Sequence, residues 1–316
     1  MTAEKTTGKT TQTKPLTGKT ALVAGATRGC GRALAIALAD AGAFVYATGR
    51  STRTARSEMN RPETIEETAE LIHDGGGEGV AVAVDHLDRD QVRALVERIR
   101  AERGRLDILV NDIWGGDPYS HWGEPLWKQD LGDGLKVLDV GLHSHIITSH
   151  YAQQLLTERP GGLVIEVTDG TNEFNADYRG EFFYDLTKAS VNRIAMTQAK
   201  QLAEVGCVAL GVTPGFLRSE AMLDGFGVTE ANWRDAVNEE RRHFSLSETP
   251  GYLARGVAAL AADPEVGRFA GQVLTSGQLA QRYNVRDADG TQPDFWQYAA
   301  ENNLDTPGAV DDAKYR

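Results

Sequence analysis

The sequence predicts a doubly wound α/β fold, a parallel sheet of about seven strands with helices on both faces. Three observations predict it. Short β-branched runs alternate with amphipathic stretches along most of the chain. A glycine-rich turn stands directly between the first such run and the first amphipathic stretch. No repeat and no Pro/Ser-rich linker divides the 316 residues, so a single domain with an ample core accounts for the length.

In chain order, strands are expected at 20–24, 44–47, 80–84, 108–111, 163–168, 208–213 and 272–275. Helices are expected between them at 32–41, 63–74, 90–102, 135–157, 181–204 and 250–262. Residues 1–15, rich in Thr and Lys, read as a disordered tail, and 16–279 as the main α/β domain. Two segments are additions to this plan: the polar stretch 52–61, and an extension over 280–316 expected to pack on the same domain.

Composition narrows the function classes. A formal net charge of -12 disfavours nucleic acid and anionic membrane surfaces as partners. No apolar run is long enough to span a bilayer, and the first residues lack the apolar core of a secretory signal, so a cytoplasmic location is expected. Cys30 and Cys207 stand in apolar or glycine-rich surroundings and read as buried, reduced thiols.

Three motifs carry chemistry. In Gly25-Ala26-Thr27-Arg28-Gly29-Cys30-Gly31, missing side chains let the backbone approach a pyrophosphate at a helix N-terminus. After the second strand the chain reads Gly49-Arg50-Ser51, without the acidic residue that would bind the adenosine ribose of NAD. Arg50 and Ser51, with Arg28 from the loop, are instead suited to a 2'-phosphate, which points to NADP(H). The third motif is Tyr184-Asp-Leu-Thr-Lys188. A separation of i to i+4 puts both side chains on one helix face, where the ammonium is expected to lower the phenol pKa and ready Tyr184 for acid/base work.

The order of these motifs resembles the short-chain dehydrogenase/reductase family, over roughly 16–277. Asp85 after strand three, Asn111 after strand four and Pro214-Gly215 after strand six belong to the same resemblance. It implies a Rossmann-type fold and interconversion of a carbonyl and an alcohol. Tyr184 would exchange the proton with the substrate oxygen, and Lys188 would bind the nicotinamide ribose. Asp85 and His86 would contact the adenine. Asn111 and Asp112 would open the turn after strand four and contact the cofactor. Pro214, Gly215 and Phe216 would lie along the nicotinamide, Ser219 would stand where the family often has a cofactor-binding Thr, and 216–226 would form the substrate lid. The family pairs its long fourth and fifth helices across two-fold axes, which implies a homodimer or homotetramer.

Two positions depart from the pattern. Where the family carries an Asn on the helix after strand four, this chain has Gly141. Where strand five normally supplies a Ser to the substrate oxygen, it reads Thr168-Asp169-Gly170-Thr171. Strand alignment selects Asp169, whereas counting back from Tyr184 selects Thr171, and Thr168 is a second hydroxyl in reach; a threonine is the favoured donor, with Asp169 kept as a site residue. An ionised Asp169 would raise the Tyr184 pKa and repel an oxyanion; a protonated one would donate a hydrogen bond. Gly141 and the pattern Leu279-Ala280-x-x-Tyr283…Asp287-x-Asp289-Gly290 resemble the branch of dehydrogenase/reductase member 1. The alternative from another class is a nucleotide-binding sensor or structural protein that lost turnover with these changes.

His143, His145 and His150 are expected to be polar histidines of an oligomer surface, with no metal site. Trp114, His121, Trp122 and Trp127 either wall a substrate pocket or cover the sheet edge.

Overall fold

A computed structural model describes residues 14–304 and 308–316. Except for Lys14 and Pro15, the tail expected to be disordered lies outside the described residues. The strands are β1 (Thr20–Ala24), β2 (Phe44–Gly49), β3 (Glu78–Ala83), β4 (Ile108–Asn111), β5 (Leu163–Val167), β6 (Val208–Thr213) and β7 (Val273–Thr275). They form one sheet in the order β3-β2-β1-β4-β5-β6-β7, with every pair parallel. β1 and β5 are buried at every position, as apolar strands covered on both faces must be.

The helices are α1 (Gly29–Asp40), α2 (Ile65–Asp74), α3 (Arg89–Arg103), α4 (Leu131–Leu138), α5 (Ser144–Leu156), α6 (Phe182–Leu202), α7 (Glu220–Phe226), α8 (Pro250–Ala261), α9 (Ser276–Tyr283), α10 (Phe295–Glu301) and α11 (Asp312–Tyr315). α1, α2, α8 and α9 bury Leu34, Leu38, Ile72, Leu253, Val257 and Leu279 against one face of the sheet. α3, α5 and α6 bury Val92, Leu95, Ile99, Leu155 and Leu202 against the other. The strand order reverses between β1 and β4, which opens a crevice at their carboxyl ends.

The single helix expected over 135–157 is a correction. It begins earlier, at Leu131, and is interrupted by a π-helical turn at Asp139–His143 between α4 and α5. The chain after 280 folds back over β6: the Trp296 indole N–H donates to the Pro214 carbonyl at 2.5 Å, and Asp294 N to the Tyr315 carbonyl at 2.8 Å. Among the described residues, no helix is long and apolar enough to cross a membrane.

Candidate active site

A cavity of about 780 Å³ occupies the crevice. Every residue singled out from the sequence as catalytic or cofactor-binding lines it, except Gly31, Asn111 and Thr171.

The glycine loop forms one end. Gly25 has a φ of +89°, and a Cβ there would stand 2.2 Å from the Asp112 carbonyl oxygen, so the β1 and β4 turns can meet only through glycine. Gly31 packs behind it, against the Gly25 carbonyl. At the start of α1, Gly29 N–H donates to a carboxylate oxygen of Glu220 at 3.0 Å. An anion from α7 therefore already sits on the loop where the helix N-terminus favours negative charge, so the cradle fits a pyrophosphate. Ser219 caps α7, its hydroxyl accepting from Met222 N.

Further along the cavity, Arg50 pairs with Glu58 at 3.0 Å and approaches Asp85 at 3.9 Å. Ser51 donates to Ser57 at 3.1 Å. The Arg28 guanidinium lines the cavity with no hydrogen-bond or ion-pair partner among the described residues, and burial pulls its pKa below the ordinary arginine value. His86 is held between Thr48 and Thr148, both at 2.8 Å, and burial pushes it down to about 3, leaving it neutral.

At the other end stands α6. Its N-terminus is capped by the Glu181 carboxylate, which accepts from Tyr184 N. Tyr184 and Lys188 project from one face into the cavity. The Tyr184 hydroxyl donates to Asp169 Oδ2, which also accepts from Arg179 at 3.0 Å. The expected lowering of the Tyr184 pKa is corrected here. Burial and the Asp169 carboxylate push it well above the ordinary tyrosine value, and Arg179 opposes them only in part. Lys188 lies farther off, 3.8 Å above the Trp114 ring and 5.4 Å from the Tyr184 ring centroid. Burial lowers its own pKa.

The three hydroxyl or carboxyl alternatives separate cleanly. Thr168 donates to the Lys188 carbonyl at 3.3 Å. Thr171 does not reach the cavity; its hydroxyl accepts from Phe174 N at 3.2 Å. The cause is Gly170, whose φ of +109° turns the chain away immediately after Asp169. Asp169 alone of the three meets Tyr184, a correction to the favoured threonine donor.

Behind the cavity, Asn111 is a correction to the expected cofactor contact. It is fully buried and donates to Glu166 at 3.0 Å and Ser149 at 2.9 Å. His145 is another correction: it is buried, not at a surface. Its two ring nitrogens lie 2.7 Å from Glu166 and 3.0 Å from the Ile113 carbonyl, so it ties β5 to the turn after β4. His143 and His150 are exposed. Gly141 has a steric reason. A Cβ there would stand 2.7 Å from Thr187 and 2.8 Å from the Trp114 ring, so the indole takes the space a larger side chain would need.

The family model described as short chain dehydrogenase matches residues 19–225. The chain belongs to the short-chain dehydrogenase family. The human dehydrogenase/reductase SDR family member 1 is 30% identical over 279 residues, covering 87% of this chain and 85% of the relative. The mouse protein of that name is 32% identical over 283 residues, with the same coverage. A 3-oxoacyl-[acyl-carrier-protein] reductase of Synechocystis is 30% identical over 205 residues, 65% of this chain and 76% of that protein. Among solved structures, one provisionally described as an NAD(P)-dependent gluconate 5-dehydrogenase from Beutenbergia cavernae, with NADP bound at low occupancy, superposes with a TM-score of 0.66. It is 25% identical, covering 85% of this chain and all of the other. As a short-chain dehydrogenase, the protein is an oxidoreductase of the carbonyl/alcohol class.

Several lining residues of this short-chain dehydrogenase escaped sequence reasoning. Arg179 and Phe174 come from the loop before α6, and Phe295 and Trp296 from the C-terminal extension. Trp114 lines the cavity and meets Tyr184 edge-on at 5.5 Å, and Trp122 packs on the same ring at 4.9 Å. His121 instead pairs with Asp133, and Trp127 is 84% exposed. The aromatic spacing was visible in the sequence; which rings turn inward was not.

Proposed function

We propose that this short-chain dehydrogenase interconverts a carbonyl and an alcohol using NADP(H), with Tyr184 as the acid/base. The observation that carries this reading is the meeting, in one cavity, of an anion-holding glycine loop with Tyr184 and Lys188. The bound cofactor supplies or accepts the hydride at its nicotinamide ring. The loop and the α1 N-terminus hold its pyrophosphate, Arg28, Arg50 and Ser51 its 2'-phosphate, and Asp85 and His86 its adenine. Lys188 and Tyr184 hold the nicotinamide ribose, and Pro214, Gly215, Phe216 and Ser219 flank the ring.

In the reductive direction Tyr184 keeps its proton through neutral pH and gives it to the carbonyl oxygen as the hydride arrives. The Lys188 ammonium and the Arg179 guanidinium balance the tyrosinate that remains until solvent returns the proton. Trp114, Phe174 and Trp296, which line the cavity, keep bulk water from the reacting atoms. Exposed Leu135 and Ile146 on α4 and α5, with Leu186 on α6, support a homodimer or homotetramer, checked by light scattering at micromolar concentration.

Cofactor choice tests the phosphate assignment. NADPH is expected to bind at least about tenfold tighter than NADH, roughly 1.4 kcal/mol. Arg50→Ala or Arg28→Ala should narrow that gap by weakening NADPH alone; equal affinities in the wild type sink the assignment. A second reading, a nucleotide sensor with little turnover, draws support from the commitment of the Tyr184 proton to Asp169. Tight NADPH binding without NADPH consumption across a broad carbonyl panel would favour it.

A further inference from the structure

Resting on that reading, we propose that the substrate is an α-hydroxycarbonyl compound: its carbonyl oxygen accepts from Tyr184, and the hydroxyl on the neighbouring carbon donates to Asp169. In the reverse direction the substrate is the corresponding vicinal diol.

A hydroxyl beside Tyr184 would offer a second donor to any ketone. A carboxylate offers only acceptors. Asp169 accepts from Arg179 twice, at Oδ2 at 3.0 Å and at its backbone carbonyl at 2.9 Å. Arg179 is itself braced by Asn175 at 2.7 Å and by the Phe174 ring, 4.6 Å from its guanidinium carbon. Oδ2 is thus occupied by Tyr184 and Arg179. Oδ1 has no partner among the described residues, and it belongs to a side chain that lines the cavity and is 35% exposed.

The catalytic step requires Tyr184 to release Asp169. Its single proton cannot serve Asp169 and a carbonyl oxygen together, so a bound ketone takes away a donor that the carboxylate holds in the free enzyme. A plain ketone adds an acceptor beside an acceptor and returns nothing. A substrate with an adjacent hydroxyl returns a donor to Asp169 as Tyr184 turns to the carbonyl. Spacing agrees: the Tyr184 hydroxyl and the Asp169 carboxyl group are hydrogen-bonded neighbours, so two oxygens on adjacent carbons can reach both. Trp114, Phe174 and Trp296 give the rest of the substrate apolar, largely aromatic walls.

The test compares kcat/KM for 2-hydroxyacetophenone, 2-methoxyacetophenone and acetophenone with NADPH, and for hydroxyacetone against methoxyacetone. The methoxy compounds keep the inductive activation of the carbonyl but lack the donor. The hydroxy compounds are expected to be preferred over their methoxy partners by roughly 10- to 100-fold. Asp169→Ser, with folding checked by retained NADPH affinity, should reduce that preference to a few-fold and raise turnover of acetophenone. Equal rates for the hydroxy and methoxy partners in both series, with turnover present, overturn the inference and leave the reductase reading standing. No turnover of any carbonyl compound removes that reading and the inference with it.

Discussion

At the scale of single residues, the site is a contest over one phenol. Burial and Asp169 raise the Tyr184 pKa, while Arg179 lowers it and Lys188 stands too far away to decide the outcome. The i, i+4 spacing made Tyr184 and Lys188 legible in the sequence, and the end of strand five made Asp169 legible. Arg179 was not, because its role arises from a loop that folds back ten residues to reach Asp169. The sign has a kinetic consequence. Reduction uses the protonated phenol, so its rate should be flat through neutral pH. Oxidation of the alcohol needs the tyrosinate, so it should keep rising with pH beyond the range of an ordinary tyrosine. Asp169→Asn removes the carboxylate and should move that rising limb to lower pH, measured as kcat/KM for oxidation against pH. An unmoved limb would exclude Asp169 as the controlling charge.

At the scale of elements, strands were legible because parallel strands buried on both faces are written as β-branched runs. The π-helical turn was not: Gly141 within it packs against Trp114 and Thr187, contacts that no local pattern encodes. The placement of α7 was also invisible, because it depends on a long-range contact. Glu220 at its start occupies Gly29 N–H, and Asp224 one turn on pairs with Arg61 at 2.7 Å, tying α7 to the loop after β2. On the proposed cofactor placement, a pyrophosphate displaces that carboxylate. Glu220→Ala should therefore tighten NADPH and NADH alike, by about 3- to 10-fold, the worth of one charge-assisted hydrogen bond and its repulsion. Fluorescence titration of both cofactors checks this. Weaker binding would mean that Glu220 supports the cradle instead of competing for it.

At the scale of the whole molecule, the cavity is closed by residues far apart in the chain. Trp296 bonds to Pro214 across 82 positions, a contact that no local pattern encodes. Beneath that junction, Glu248 accepts from Ser276 at 2.5 Å, and burial raises its pKa to about 8 from 4.5. A carboxyl group raised on folding contributes fully below its unfolded value and loses that contribution as pH rises through the folded one. Between about pH 4.5 and 8, this group alone should lower stability by at most about 1.4 kcal/mol per pH unit. Glu248→Gln should flatten the fall in Tm over that window, and an unchanged slope would assign the pH dependence to other groups. The chemistry that the whole fold assembles is tested by NADPH consumption of the wild type and of Tyr184→Phe on every carbonyl compound the wild type reduces. The variant is expected to bind NADPH almost as tightly as the wild type and to turn over none of them. A variant that matches the wild type on those substrates would contradict the role of Tyr184 as the acid/base.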